Sequence, residues 1–321
     1  MRLKLSAKSL FKIVSSSLTF PLALSILSFV LSSCASANIS SKHTAITGYE
    51  YKNITTRQEV LDLSNLEYTK IANGIFIARV EAEKLPLIAT IAKIDLTEKN
   101  LRIVATEEER FRLAKKKKSS HSSHPSLEVL VAPETTQSFA TRHSTNLAIN
   151  TNFFNFKTFF FDKFYKPLGL FLNNGKLLSP AKKDFASIIF DETNKAKISE
   201  DLCENTRFAI AGYNKVIEQG RVILQGKYKR KDSRSLIGVN ESGDTLFILL
   251  IDGERKVLSE GLALIDAARL FLQVGVFEGI ELDGGGSSTL VVKIEGLQHQ
   301  LVPSSKKQKR RVAVNLGFIS Q

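Results

Sequence analysis

Residues Glu281 to Leu290 read ELDGGGSSTL and gather more chemistry than any element around them. Asp283 ends an apolar run and supplies a charge. Gly284, Gly285 and Gly286 follow, and then the hydroxyls of Ser287, Ser288 and Thr289. Three consecutive glycines lose much backbone freedom on ordering. A chain that keeps them where a strand ends needs its backbone to approach something closely. Amides, hydroxyls and one carboxylate are groups that hold sugar or phosphate oxygens. A second acidic turn, Asp252-Gly253, ends the apolar run Leu246 to Ile251. Two carboxylates on one rim suit glycosidic acid and nucleophile work, a hard-metal site for Ca or Mg, or a structural network.

Two other readings of the glycine run fail on spacing. A P-loop needs Lys-Ser/Thr after its glycines, and a dinucleotide loop needs G-x-G-x-x-G on the first strand of its unit. A serine-hydrolase elbow at Ser287 needs glycine where Thr289 stands.

The elements that must position these residues are mostly strands. Ile75 to Val80, Leu87 to Leu96 and Leu101 to Thr106 are short Ile/Val/Leu runs, the last two joined by the hairpin-like Thr97-Glu98-Lys99-Asn100. Thr136 to His143 suits a short helix, and Leu147 to Asn150 a strand. Asn173-Asn174-Gly175 reads as a hairpin turn. Leu246 to Ile251 has no polar residue, as in a strand buried on both faces. Leu262 to Val274 has helical spacing, with Ser259 as N-cap and Gly275 as stop. Gly279 to Leu282 is another short strand. Strand, helix, strand in this order predicts a βαβ unit with parallel strands, which would put Asp252 and Asp283 on one rim. The expected fold class is therefore mixed α+β, a β-rich mixed sheet with a C-terminal βαβ unit and few helices.

Composition bounds the rest. The chain has 321 residues, 43% of them hydrophobic, and 21 Phe in place of any Trp. That is enough to bury a proper core. Arg2, Lys4, Lys8 and Lys12 precede an apolar, serine-diluted stretch that ends in Leu31-Ser32-Ser33-Cys34. This anatomy matches a lipoprotein-type signal over 1–33 with lipidation of Cys34. Cleavage after Ala35-Ser36-Ala37 and an uncleaved anchor helix are the rivals. All three place the body of the chain outside the cytoplasm, and the first anchors it to a lipid bilayer at the cell envelope. Residues 34–66 read as tether and lead-in. With Cys34 lipidated, Cys203 is left without a disulfide partner, and its simplest reading is a small buried or half-buried residue. The net charge is +13, and removal of 1–33 leaves +9. The excess sits in Lys115–Lys118, Lys227–Lys231 and Lys306–Arg311. Solvated loops explain these runs, as does attraction to an anionic envelope glycan; no nucleic-acid motif accompanies them. His121 and His124 lie in a low-complexity insert without further ligands for zinc.

In order, Asn150-Thr151-Asn152-Phe153-Phe154, Pro167-Leu168-Gly169, Arg234-Ser235-Leu236-Ile237-Gly238, Ile251-Asp252-Gly253, Leu282 to Thr289 and Arg311 to Asn315 resemble the phosphodiester glycosidase domain family. The resemblance spans about Glu67 to Ile319, so 67–321 is expected to be one such domain. Glu254 stands where the family often has arginine. The resemblance implies hydrolysis of a sugar-1-phosphodiester at the anomeric carbon of a phosphate-bearing glycan. The leaving phosphate needs charge stabilisation more than a proton. Arg234 and the Gly284–Ser288 amides are suited to give it. Asp283 and Asp252 are the carboxylates for the cationic half of the transition state. Asn152 would bond a sugar hydroxyl or orient a carboxylate. The resemblance implies no certain cofactor, and a divalent cation stays open.

Overall fold

A computed structural model describes residues 61–321, apart from 64, 83–85, 116–126, 160–161, 201, 225–228, 254–257 and 303–309. The signal, Cys34, the insert histidines and Glu254 lie outside the described residues. Every strand pairing described is antiparallel.

An eight-stranded sheet carries the site. Its order is Thr69–Ala72, Ile75–Ala82, Leu87–Asp95, Thr245–Asp252, Arg234–Val239, Glu278–Glu281, Lys215–Glu218, Arg221–Val222. Leu246 to Asp252 are all buried, as the unbroken apolar run requires. A five-stranded sheet orders Leu297–Val302, Leu290–Ile294, Leu147–Asn150, Asn315–Ile319 and Arg102–Ala105. Leu147–Asn150 and Leu290–Ile294 enter and leave the glycine loop's neighbourhood from this second sheet. The fold is thus β-rich with two α-helices among the described residues, Thr136–His143 and Leu264–Gln273.

The sheet order does not confirm the expected βαβ unit. Leu264–Gln273 does link Thr245–Asp252 to Glu278–Glu281, and those strands run in the same direction. Arg234–Val239 lies between them, antiparallel to both. The reason is local: Arg234–Val239 reaches Thr245–Asp252 through only Asn240 to Asp244, so a tight hairpin fills the neighbouring position before the helical crossover returns. The Thr97–Asn100 hairpin is corrected. Leu87–Asp95 belongs to the large sheet, whereas Arg102–Ala105 pairs with Asn315–Ile319 in the second. The Asn174-Gly175 turn does join a paired hairpin.

The helix buries Leu264, Ala267, Ala268 and Phe271, the i, i+3, i+4, i+7 stripe its spacing implies. Its N-cap is Ala263 with no side-chain cap. Ser259 instead accepts from the Ile88 amide at 2.9 Å and donates to the Asp252 carbonyl. The helix sits close on the sheet over Gly238, where a Cβ would come within 2.6 Å of Val276 Cγ1 and 3.0 Å of Phe271 Cε1.

Candidate active site

Register brings the sequence-predicted residues to one end of the large sheet. Arg234 pairs with Ile251, and Leu236 with both Leu249 and Glu281. The Leu282 amide donates to the Ser235 carbonyl at 2.8 Å, which carries the ladder one step further. Asp283 therefore arrives level with Arg234, and Asp252 flanks the same strand from the other side. Side chains alternate between faces, and paired residues share one. Arg234, Ile251 and Glu281 thus lie on the face covered by the Leu264–Gln273 helix. Asp252, one residue past Ile251, belongs to the opposite face and is fully buried. The sheet brings Asp252 to the rim but not to the face of Glu281 and Arg234.

Arg234 is held from three sides. Its Nη1 bonds Glu281 Oε1 at 3.1 Å, its Nε donates to the Leu262 carbonyl at 3.1 Å, and its Nη2 to the Arg230 carbonyl at 2.8 Å. Glu281 Oε2 accepts from Asn214 Nδ2 at 2.6 Å. Burial pushes the Glu281 carboxyl above its usual range, against the lowering effect of Asn214 and Arg234. Both partners are largely buried, and each oxygen of the carboxylate is engaged. The guanidinium expected to grip phosphate is here the counter-ion of Glu281, a residue inside the expected strand Gly279 to Leu282 to which no role was assigned.

The glycine loop is clamped by one side chain. Asn150 Nδ2 donates to the Asp283 carbonyl at 2.8 Å, while its Oδ1 accepts from the Thr289 amide at 2.9 Å. Asn150 is the last residue of its strand and fully buried. It fixes both ends of the loop, and only its place at the head of the Asn150–Phe154 motif hinted at this. The Asp283 amide donates to the Thr151 carbonyl at 2.9 Å, and the Gly285 amide to the Ser233 carbonyl at 2.9 Å. Gly285 holds φ +55, a left-handed conformation that glycine adopts freely. Gly285–Ser287 then forms one 3₁₀ turn.

The hydroxyls face inward. Ser287, Ser288 and Thr289 are buried, whereas the three glycines are half-exposed. Ser288 Oγ lies 2.9 Å from Ser235 Oγ, and Thr289 Oγ1 donates to the Ser287 carbonyl at 3.0 Å. Ser287 hydrogen-bonds the Asp283 carboxylate, and Arg310 Nη1 reaches Ser287 Oγ at 3.4 Å. Arg310 is exposed, with its guanidinium 5.7 Å from the Phe156 ring centroid. Backbone, rather than hydroxyl, is what this loop presents to solvent.

Asp283 is the titratable group of the rim. Burial pushes its carboxyl up from 3.8 to about 6, offset by the Ser287 hydrogen bond and Arg310 and reinforced by the Glu281 charge. A carboxyl tuned to this range changes charge near neutrality, as acid–base groups must.

Asn152 is used by the fold. Its Nδ2 donates to the Leu168 and Leu170 carbonyls at 3.2 and 3.0 Å, and its Oδ1 accepts from Thr151 Oγ1 and the Ala211 amide. Cys203, expected to be buried or half-buried, is exposed, on a connecting loop with Lys197 Nζ at 3.1 Å. No group of three or more His, Cys, Asp or Glu is placed to hold a metal ion among the described residues. A cavity of about 400 Å³, lined in part by Lys195, Lys215, Asn240 and Glu278, opens at the other end of the Glu278–Glu281 strand and shares no residue with the rim.

No curated protein matches the chain in sequence. Among solved structures, the catalytic domain of zebrafish N-acetylglucosamine-1-phosphodiester alpha-N-acetylglucosaminidase, auto-inhibited by its pro-peptide, is similar at a TM-score of 0.52 and 17% identity, over 83% of this chain and 85% of that one. A hypothetical protein from Synechocystis is similar at a TM-score of 0.50 and 13% identity, over 80% of this chain and 64% of that one. At such identities these likenesses concern the fold. The family model described as phosphodiester glycosidase matches residues 143–319, from the end of the first helix through the Asn150 clamp and the glycine loop to the last strand. That match covers more than half of the chain, and the chain belongs to the phosphodiester glycosidase family.

Proposed function

We propose that the chain hydrolyses the C1–O bond of a sugar-1-phosphodiester at the Asp283 rim. The observation that carries this reading is the half-buried Asp283 carboxyl, raised to about 6 beside an amide-lined glycine loop. Family membership supports the reaction class. In the reaction the phosphate monoester departs with the bonding electron pair. Water adds to C1 and gives up a proton. Ionised Asp283 stabilises the cationic sugar or takes that proton. The leaving group is a weak base, so its negative charge is what needs support. Arg310 and the Gly284 and Gly286 amides supply it, since Arg234 is already bonded to Glu281 and the Gly285 amide to the Ser233 carbonyl. Arg234 and Asn214 hold Glu281 in place, and the Glu281 charge helps to keep Asp283 protonatable.

The test is turnover of a model sugar-1-phosphodiester by purified protein in labelled water. Label is expected in the sugar, and Asp283→Asn is expected to lower kcat by at least about 100-fold. The rate should rise with pH through about 6, because the ionised form is the active one. Label in the phosphate, which a metal-dependent phosphodiesterase would give, or full activity in Asp283→Asn sinks the reading.

We also propose that the protein is exported and lipid-anchored at the cell envelope through Cys34, where phosphate-bearing glycans are within reach. The basic start, the apolar stretch and Leu31-Ser32-Ser33-Cys34 support this. Cys34→Ala is expected to move the protein from the membrane to the soluble fraction, and an unchanged distribution refutes the anchor.

A further inference from the structure

Phe153, Phe185 and Tyr213 pack edge to face beside the Glu278–Glu281 strand that leads to Asp283. Ring centroids are 6.3 Å apart for Phe153–Phe185, 6.0 Å for Phe153–Tyr213 and 5.0 Å for Phe185–Tyr213. The cluster is tied to the rim from two sides. The Tyr213 amide donates to the Glu281 carbonyl at 2.9 Å, and the next residue, Asn214, holds the Glu281 carboxylate. Phe153 lies two residues after Thr151, whose carbonyl accepts from the Asp283 amide. The Tyr213 carbonyl in turn accepts from the Ala186 amide at 3.3 Å, next to Phe185. Yet Tyr213 keeps 44% of its surface exposed. A ring needed only for the core would be covered. A rigidly mounted, half-open aromatic beside a polar rim offers a π-surface and a wet hydroxyl to something that is itself half apolar.

Phe154, the next residue, turns to a different cluster. It stacks on Tyr165 at 4.6 Å and meets Phe156 at 5.3 Å, and Phe156 is the ring beneath Arg310. The Phe153-Phe154 pair therefore separates two aromatic walls: Lys182 Nζ lies 4.2 Å from the Phe185 ring centroid at one edge of the first, and Arg310, which reaches Ser287 beside Asp283, lies over the second.

We propose that the Phe153–Phe185–Tyr213 wall binds the C–H face of a pyranose ring, with Tyr213 as its exposed edge, and leaves the phosphate to the Arg310 side. The proposal rests on the reading of the rim as a sugar-1-phosphodiester site. A pyranose turns several C–H bonds to one face while its hydroxyls stay in water. An aromatic ring, with its negative π-face, accepts such polarised hydrogens as it accepts an aromatic edge, a contact that a 5-fold change in Kd puts at about 1 kcal/mol.

Glucose 1-phosphate and inorganic phosphate are the probes, followed by saturation-transfer NMR on the full folded chain. Ring C–H protons of glucose 1-phosphate are expected to receive saturation. Tyr213→Ala and Tyr213→Leu are each expected to raise its Kd about 5-fold, with Tyr213→Phe within about 2-fold of wild type, as the contact energy implies. Inorganic phosphate should bind all four proteins equally. Tyr213→Ala and Tyr213→Leu lose the edge contacts to Phe153 and Phe185, so a lowered melting temperature is expected for both, and circular dichroism at the assay temperature checks that each variant is folded. No saturation of the sugar ring, an unchanged Kd in both Tyr213→Ala and Tyr213→Leu, or an equal loss of phosphate binding overturns the wall. The wall and the hydrolase reading fail separately. Tyr213-dependent sugar binding without turnover of any sugar-1-phosphodiester sinks only the hydrolase. Turnover with a KM indifferent to Tyr213 sinks only the wall.

Discussion

The two ends of the Glu281–Asp283 segment are built on opposite principles. At Glu281 every carboxylate oxygen has a partner, and its arginine is bonded three ways and mostly buried. At Asp283 the carboxyl has one hydroxyl partner among the described residues, a raised proton affinity and an exposed arginine that reaches Ser287 at 3.4 Å. A fully satisfied buried ion pair holds geometry. A half-satisfied carboxyl keeps its chemistry available. Two residues apart on one strand, the first end holds the second in place. The same contrast divides the arginines, and it explains why Arg234, rather than Arg310, stands out in sequence: it sits in an ordered motif because the fold depends on it.

The largest effect that would break this contrast is on the arginines themselves. Arg234→Ala leaves Glu281 buried without its counter-ion and should destabilise the protein by about 3 kcal/mol in urea unfolding. Arg310→Ala should change stability by no more than ~0.5 kcal/mol, as an exposed residue, and raise KM for a sugar-1-phosphodiester about 10-fold through the lost charge-assisted contact. Equal stability losses would mean that both arginines are structural. A KM effect confined to Arg234→Ala would return the phosphate to the residue first expected to hold it.

Sequence patterns exposed one side of this contrast and hid the other. Asp283 and its glycines were legible because backbone strain and charge coincide there. The inward turn of Ser288 and Thr289 was not, because a hydroxyl that bonds Ser235 looks in sequence like one that waits for substrate. Glu281 could not be linked to Arg234 without knowing that their strands are neighbours. Arg234–Val239 lies between Thr245–Asp252, its partner across the short Asn240–Asp244 turn, and Glu278–Glu281, an order that turn chemistry alone does not give. Asn150 read as the last polar residue of a strand, and its two bonds to the loop reach across more than 130 positions of chain. Leu87–Asp95 and Arg102–Ala105 looked like a hairpin from turn chemistry alone, yet they feed different sheets. Local propensity recovers elements well, but the partners of each element are set by long-range packing.

A smaller effect sharpens the contrast through pH. The folded Asp283 carboxyl titrates at about 6, above its ordinary 3.8, so its ionised form costs folding free energy. That cost is absent below the ordinary value, grows as pH rises between the two and is complete above about 6. Asp283→Asn removes the charge while keeping shape and a hydrogen-bond acceptor. The variant should therefore be more stable than wild type by on the order of 1–2 kcal/mol near about pH 8, after allowance for partial exposure, and the gap should close near about pH 4. Denaturant titrations of both proteins at the two pH values measure the difference directly. A variant that is less stable at both would place Asp283 with Glu281, as a second structural carboxylate. A variant that gains stability only at high pH while losing turnover would identify Asp283 as a group kept at a cost to the fold, as expected where chemistry rather than packing selects the residue.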